Sequence, residues 1–369
     1  MKIIYFTRDY TTHDHRFLSA LAKSEHKVYY LRLERRGHQL EDRPLPPEVE
    51  IVHWKGGQRP AKWSDGLRLL PDLKRVIRTI KPDLIHAGPL QSSALLAALS
   101  GFKPLVSMSW GYDLLIDARR NALWKWATQH TLKHSSAMVG DCDTIRRLGL
   151  EFGMPGERIV TFPWGVDLQH FIPGDRPYDT PEVFTLLSTR NWEPVYGVDI
   201  IAKAFARAAK QLSQEQGLEL RLIMLGNGSQ AGALRQEFMQ AGVLERVHFP
   251  GQVGYNDLPR FYRAADLYVS ASHSDGSSIS LLEAMACGTP ALVSDIPGNC
   301  EWITPGEQGW LFAEGDPHDL CRAILVAVEN RSRLPDMGRL ARLLTEQRAD
   351  WAKNSRRIFD AYEIAINSE

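Results

Sequence analysis

Short apolar runs alternate with helical patterns along this chain, and the alternation occurs twice. In the first series Ile3–Phe6, Val28–Leu33, Leu84–His86, Leu105–Met108 and Met138–Gly140 read as buried parallel strands. Arg16–Lys23, Leu67–Ile80, Ser92–Leu99, Ala122–His134 and Thr144–Leu150 read as the helices between them. In the second, Thr185–Ser188, Arg221–Leu225, Val247–Pro250, Leu267–Ser270 and Ala291–Ser294 are strands. Asp199–Gln211, Ala231–Ala241, Leu258–Ala264 and Ser280–Ala286 are the matching helices. Parallel strands joined through helices demand right-handed crossovers, so the pattern predicts two doubly wound α/β domains.

A length of 369 residues suits two domains with a core each. The Pro- and Gly-containing stretch Pro163–Pro181 separates the series and predicts domains at 1–165 and 166–350. Sheets of this kind bind ligands at the carboxyl ends of their strands, so the expected site lies in a cleft between the domains. The amphipathic stretch Trp351–Ile366 is expected either to close the second domain or to cross back to the first.

The net charge is zero, from 44 Lys and Arg against 44 Asp and Glu, which excludes nucleic-acid binding by bulk charge. The sum hides an asymmetry. Residues 1–165 carry 25 cations and 17 acids, whereas residues 166–369 carry 19 and 27. A basic first half suits an anionic partner or an anionic membrane face. The four cysteines form no CxxC pair, so neither a disulfide framework nor a zinc site is expected. No apolar run is long enough to span a bilayer and no leader precedes the first strand. The expectation is a cytoplasmic protein, peripheral at most to the inner membrane face.

The most specific segment is Asp275-Gly276-Ser277-Ser278-Ile279-Ser280, running through Glu283 to Cys287-Gly288-Thr289-Pro290. Small hydroxyl residues at a helix start offer N–H donors to a diphosphate, and carboxylates accept from sugar and ribose hydroxyls. Helix capping by Ser278 or Ser280 is the alternative. This segment resembles the donor-site signature of family 4 retaining glycosyltransferases, in a subgroup with a DG(S/T)S loop. The resemblance implies the GT-B fold: two Rossmann-like domains facing across a cleft.

It also implies roles. Asp275 would orient the donor sugar and Glu283 the ribose, with Ser277, Ser278 and Ile279 meeting the diphosphate. Arg190, at a strand end, matches the cation that stabilises the leaving diphosphate. The lysine usual just before the following glycine is replaced by Tyr196, which brings no charge. Gly226 and Gly228 match a loop bordering the nucleotide, and Val253 a loop that reads the base; tight turns explain these equally.

In the first half, Arg8–Phe17 stands where the family has a glycine-rich loop, and His13, His15 and Arg16 are expected to touch donor phosphate or acceptor. Two histidines and an acid there could also hold a metal, although the resemblance implies no metal or other cofactor. Trp110 stands where a histidine is common and could stack on a sugar. That leaves Asp113 as the nearest ionisable candidate, or else a helix cap, with His86 expected on the same side unless, as is commoner for a lone histidine, it is structural. The implied reaction moves a sugar from a UDP- or GDP-sugar to a hydroxyl on a sugar, glycolipid or lipid-linked acceptor, as in cell-surface polysaccharide, lipopolysaccharide or glycolipid synthesis. An inactive nucleotide-sugar-binding subunit, or another GT-B enzyme such as an epimerase, is the competing expectation.

Overall fold

The computed structural model of the chain describes residues 1–35, 41–174 and 180–368. Residues 175–179, inside the expected linker, and residue 369 lie outside them. The chain divides into two compact units, Met1–Pro163 with Ala352–Glu369, and Trp164–Trp351.

Among the described residues, the first unit carries seven parallel strands: β1 (Lys2–Thr7), β2 (Lys27–Arg32), β3 (Glu50–Ile51), β4 (Leu84–Gly88), β5 (Leu105–Met108), β6 (Ala137–Gly140) and β7 (Ile159–Thr161). Their order is β3-β2-β1-β4-β5-β6-β7. The second unit carries β8 (Val183–Ser188), β9 (Glu219–Leu225), β10 (Val247–Gly251), β11 (Leu267–Ser270), β12 (Ala291–Ser294) and β13 (Gly309–Phe312), ordered β10-β9-β8-β11-β12-β13. Both orders reverse beside their first strand, at β1/β4 and at β8/β11. Loops leaving the carboxyl ends there diverge and open a crevice for ligands. Central strands are apolar on both faces because helices cover both. Phe184, Leu186 and Leu222 pack on one side of the second sheet, while Leu187, Tyr268 and Val293 pack on the other.

Three strands lack a sequence signal. β3 has two residues, both exposed, and β7 and β13 are short edge strands without clear alternation. The connector is not loose, since Val166 and Phe171 are 2% and 1% exposed and join the second unit's core. The C-terminal stretch breaks into helices Trp351–Asn354 and Arg357–Asn367. Ile358, Tyr362 and Ala365 of the latter are buried, and Arg357 Nη1 donates to the Thr161 carbonyl in the first unit. Among the described residues no helix is long and apolar enough to cross a membrane.

Candidate functional site

In the second unit the chain leaves β8 through Thr189 to Arg190, and leaves β11 through the Ala271–Ser278 loop into the helix Ile279–Ala286. These are the diverging loops of the β8/β11 crevice. Arg190 is 11% exposed, and its Nη2 lies 2.8 Å from Asp275 Oδ2. Its Nη1 donates to Ser278 Oγ at 2.9 Å and Ser280 Oγ at 3.0 Å. The guanidinium sits 4.1 Å from the centre of the Tyr196 ring. Burial opposes its charge, but Asp275 and the surrounding phenols outweigh that and hold its pKa above the ordinary value. The buried Nε has no hydrogen-bond acceptor among the described residues. A guanidinium held this way keeps its charge and can give charge-assisted hydrogen bonds to an anionic oxygen.

Ser278 occupies the N-cap position, yet its hydroxyl makes no capping bond and faces Arg190 instead. Ser277 is buried on the same loop, and Ile279 begins the helix. Glu283, 8% exposed, accepts from Tyr262 Oη at 2.7 Å, and Thr189 Oγ1 lies 3.1 Å from the same phenol. The Tyr268 hydroxyl lies 2.8 Å from Ser280 Oγ. Ser280, Tyr262, Tyr268 and Thr189 thus complete the cluster. Ser280 stands in the sequence motif. The tyrosines read as core, and nothing in their spacing announces partners that the fold supplies.

The Gly226 and Gly228 loop follows β9 and is fastened from the Arg190 side. Trp192 Nε1 donates to the Leu225 carbonyl at 3.0 Å, and the Glu193 carboxylate accepts from the Ser229 amide at 2.9 Å. Val253, half-buried after β10, packs against the same core as Tyr255 and Leu258.

In the first unit the helix begins at Thr12, four residues before the expected start, because Thr11 and Asp14 form a capping box. His13 and Arg16 therefore lie on one helical face rather than in a loop. The His13 ring centre is 5.2 Å from that of Trp110, whereas His15 Nδ1 turns to the Tyr10 hydroxyl at 2.8 Å. Asp14, 1% exposed, is turned inward, bonded by the Thr11 amide and the Tyr5 hydroxyl, and does not join the histidines as a ligand would.

Two expected residues take other places. Asp113 is fully buried, and its oxygens accept from Leu90, Trp110 and Leu114 amides and from Ser109 Oγ. Burial raises its pKa to about 6 against those bonds. It holds the Ser109–Leu114 turn and, through it, Trp110, and its carboxylate faces the protein interior. His86 falls inside β4, which runs two residues further than its apolar pattern suggested. Its side chain is fully buried, with Nδ1 2.9 Å from the Tyr362 hydroxyl, and burial pushes its pKa down to about 3. It belongs to the core.

Two family models match adjoining parts of the chain: Glycosyltransferase Family 4 over residues 11–170 and Glycosyl transferases group 1 over residues 178–357. D-inositol 3-phosphate glycosyltransferase of Nocardia farcinica is 28% identical over 240 residues, 62% of this chain and 52% of that protein. The enzyme of the same description from Geodermatophilus obscurus is 30% identical over 210 residues, 53% of this chain and 46% of that protein. The chain thus spans about half the length of the curated relatives it matches. Among solved structures, sucrose-phosphate synthase from Thermosynechococcus elongatus superposes with TM-score 0.83 at 16% identity over 100% of both chains. Anabaena HepE in complex with UDP superposes with TM-score 0.78 at 17% identity over 98% of this chain and 100% of that one.

The fold is the two-domain, Rossmann-like GT-B fold. Both units of the chain thus match a glycosyltransferase model, each over less than half of the chain's length.

Proposed function

We propose that the protein transfers a sugar from a nucleoside diphosphate sugar to an acceptor hydroxyl, with retention of configuration. The observation that carries this reading is Arg190, a buried cation held by Asp275, Ser278 and Ser280 at the β8/β11 crevice. The diphosphate meets Arg190 and the Ser277–Ile279 turn, Glu283 meets the ribose, and Asp275 orients the sugar in the DG(S/T)S-type loop. The Gly226–Gly228 loop and Val253 border the nucleotide. HepE was solved with UDP and with UDP-glucose, which supports a UDP-sugar donor.

As the bond from the anomeric carbon to the β-phosphate oxygen breaks, negative charge gathers on that oxygen and Arg190 stabilises it. The acceptor oxygen bonds the anomeric carbon from the face the diphosphate leaves, and its proton passes to the departing phosphate. No protein base is required, so a tryptophan at position 110 is compatible with turnover. His13, Arg16 and Trp110 receive the acceptor, a sugar, glycolipid or lipid-linked hydroxyl of cell-surface polysaccharide, lipopolysaccharide or glycolipid synthesis. The positive first unit suits work at an anionic inner membrane face.

NMR of the product formed from an α-linked UDP-sugar should show an α anomeric signal; a β signal refutes retention. The absence of lysine at Tyr196 favours a second reading, a nucleotide-sugar-binding subunit without turnover. Binding of UDP-sugar with no product on any acceptor would establish it.

A further inference from the structure

The first unit contains a cavity of about 370 Å³ that none of the roles above uses. Its volume lies in the range of about 300–1,000 Å³ usual for small-molecule sites. The lining is chemically divided. Its polar part comes from Arg8, just past β1, whose Nε bonds Glu34 Oε1 at 2.6 Å, and from Tyr112 beside it. Its apolar part comes from Leu95, Leu96, Leu99, Leu123, Trp63 and Trp126.

Four of these apolar side chains stand in water. Trp63 is 48% exposed, Leu123 52%, Trp126 47% and Leu99 37%. Large apolar side chains gathered in water around a concavity mark a surface made to be covered. A cation beside them, apart from the Arg8–Glu34 pair, suits an anionic group on what covers it. Lys62 lines the cavity beside Trp63. The acids of the lining are engaged: Glu34 by Arg8 and the Ala61 amide, and Asp117 by Arg120 at 3.9 Å. The polar part is continuous along the chain with the acceptor cluster, since Tyr112 follows Trp110 by two residues and Arg8 lies in the loop that leads from β1 into the helix carrying His13.

We propose that this cavity holds a single hydrocarbon chain of an amphipathic acceptor whose head is anionic. Calling the ligand an acceptor rests on the glycosyltransferase reading; the chain site itself rests on the cavity. The chain lies along the leucines and indoles, and the head lies toward Arg8 and Lys62. A concave lining suits one chain, whereas a bilayer face would cover the rim and leave the hollow unfilled.

Calorimetric titration of the full chain with monomeric geranyl phosphate tests this, with inorganic phosphate and phosphatidylglycerol vesicles as comparison. Geranyl phosphate should bind and inorganic phosphate should not. Leu99→Glu and, on another helix, Leu123→Glu should each weaken binding at least about tenfold by burying a carboxylate against the chain. Leu99→Met should retain it, and unchanged circular dichroism establishes that the variants fold. Equal binding of inorganic phosphate, wild-type binding by both glutamate variants, or binding of vesicles without binding of geranyl phosphate would each overturn the proposal. UDP-glucose binding measured alongside tests the donor reading separately, because its residues lie in the other unit.

Discussion

Arg190 is the residue on which the donor reading turns, and its surroundings define what can replace it. The guanidinium bonds two serines, approaches Asp275 and stacks on Tyr196, a set that only a planar, multi-donor cation can satisfy. Arg190→Lys should therefore lose nearly as much transfer as Arg190→Ala, a fall of about 10²–10³ in kcat, the usual cost of removing one transition-state donor. Steady-state kinetics check this, and a lysine variant near wild type would mean that charge alone suffices. His86 gives a prediction on stability. Folded, it keeps a pKa of about 3, whereas unfolded it takes a proton near pH 6.5. Its contribution is thus present above pH 6.5 and lost as pH falls toward 3. Asp14 and Asp113 act oppositely: their pKa values, raised to about 7 and about 6 by burial, give stability at low pH that is lost as pH rises through those values. His86→Asn cannot titrate. Relative to wild type, it should gain about 1 kcal/mol per pH unit on acidification below 6.5. Urea unfolding at pH 7 and pH 5 measures this, and parallel pH profiles would remove His86 as the cause.

At the scale of elements, the donor loop depends on a neighbour with no side chain. Gly298, in the short helix Pro297–Cys300, lies so close to the Gly276 and Asp275 carbonyls that a Cβ would overlap them. Gly298→Ala should displace the Asp275 loop, costing about 1–3 kcal/mol of stability and weakening UDP-sugar binding, with the far-UV spectrum preserved. Titration and thermal unfolding together check it; unchanged binding would mean that the loop's position is not what holds donor. Elements also explain what the sequence disclosed. Central strands announce themselves because both faces are apolar; Arg190 stands out as a charge just past a strand end with no core role, and Asp275 and Glu283 because they stand in the donor-site motif. Tyr262 and Tyr268 carry the same apolar signal as their neighbours, so their hydroxyl bonds to Glu283 and Ser280 are invisible until the fold joins them. Asp113 and His86 mislead for the converse reason. His86 at an apolar strand's end and Asp113 before a helix each look available for chemistry, and each is consumed by burial that one-dimensional pattern does not register.

For the whole molecule, the charge asymmetry follows the two units. Ala352–Glu369, which groups with Met1–Pro163, carries three cations and three acids and leaves the contrast intact. The donor cluster thus belongs to the acidic unit, which makes buried Arg190 its local exception. The cavity of leucines and indoles belongs to the basic one. Matched family models over residues 11–170 and 178–357 divide the chain in the same sense. The central claim is that the second unit binds a nucleoside diphosphate sugar through Arg190. The direct measurement is the thermal unfolding shift of wild type and Arg190→Ala with UDP-, GDP-, ADP- and CMP-sugars. UDP-sugars should stabilise the wild type, and the variant should lose that shift. No shift with any nucleotide sugar, or an equal shift in the variant, would contradict it.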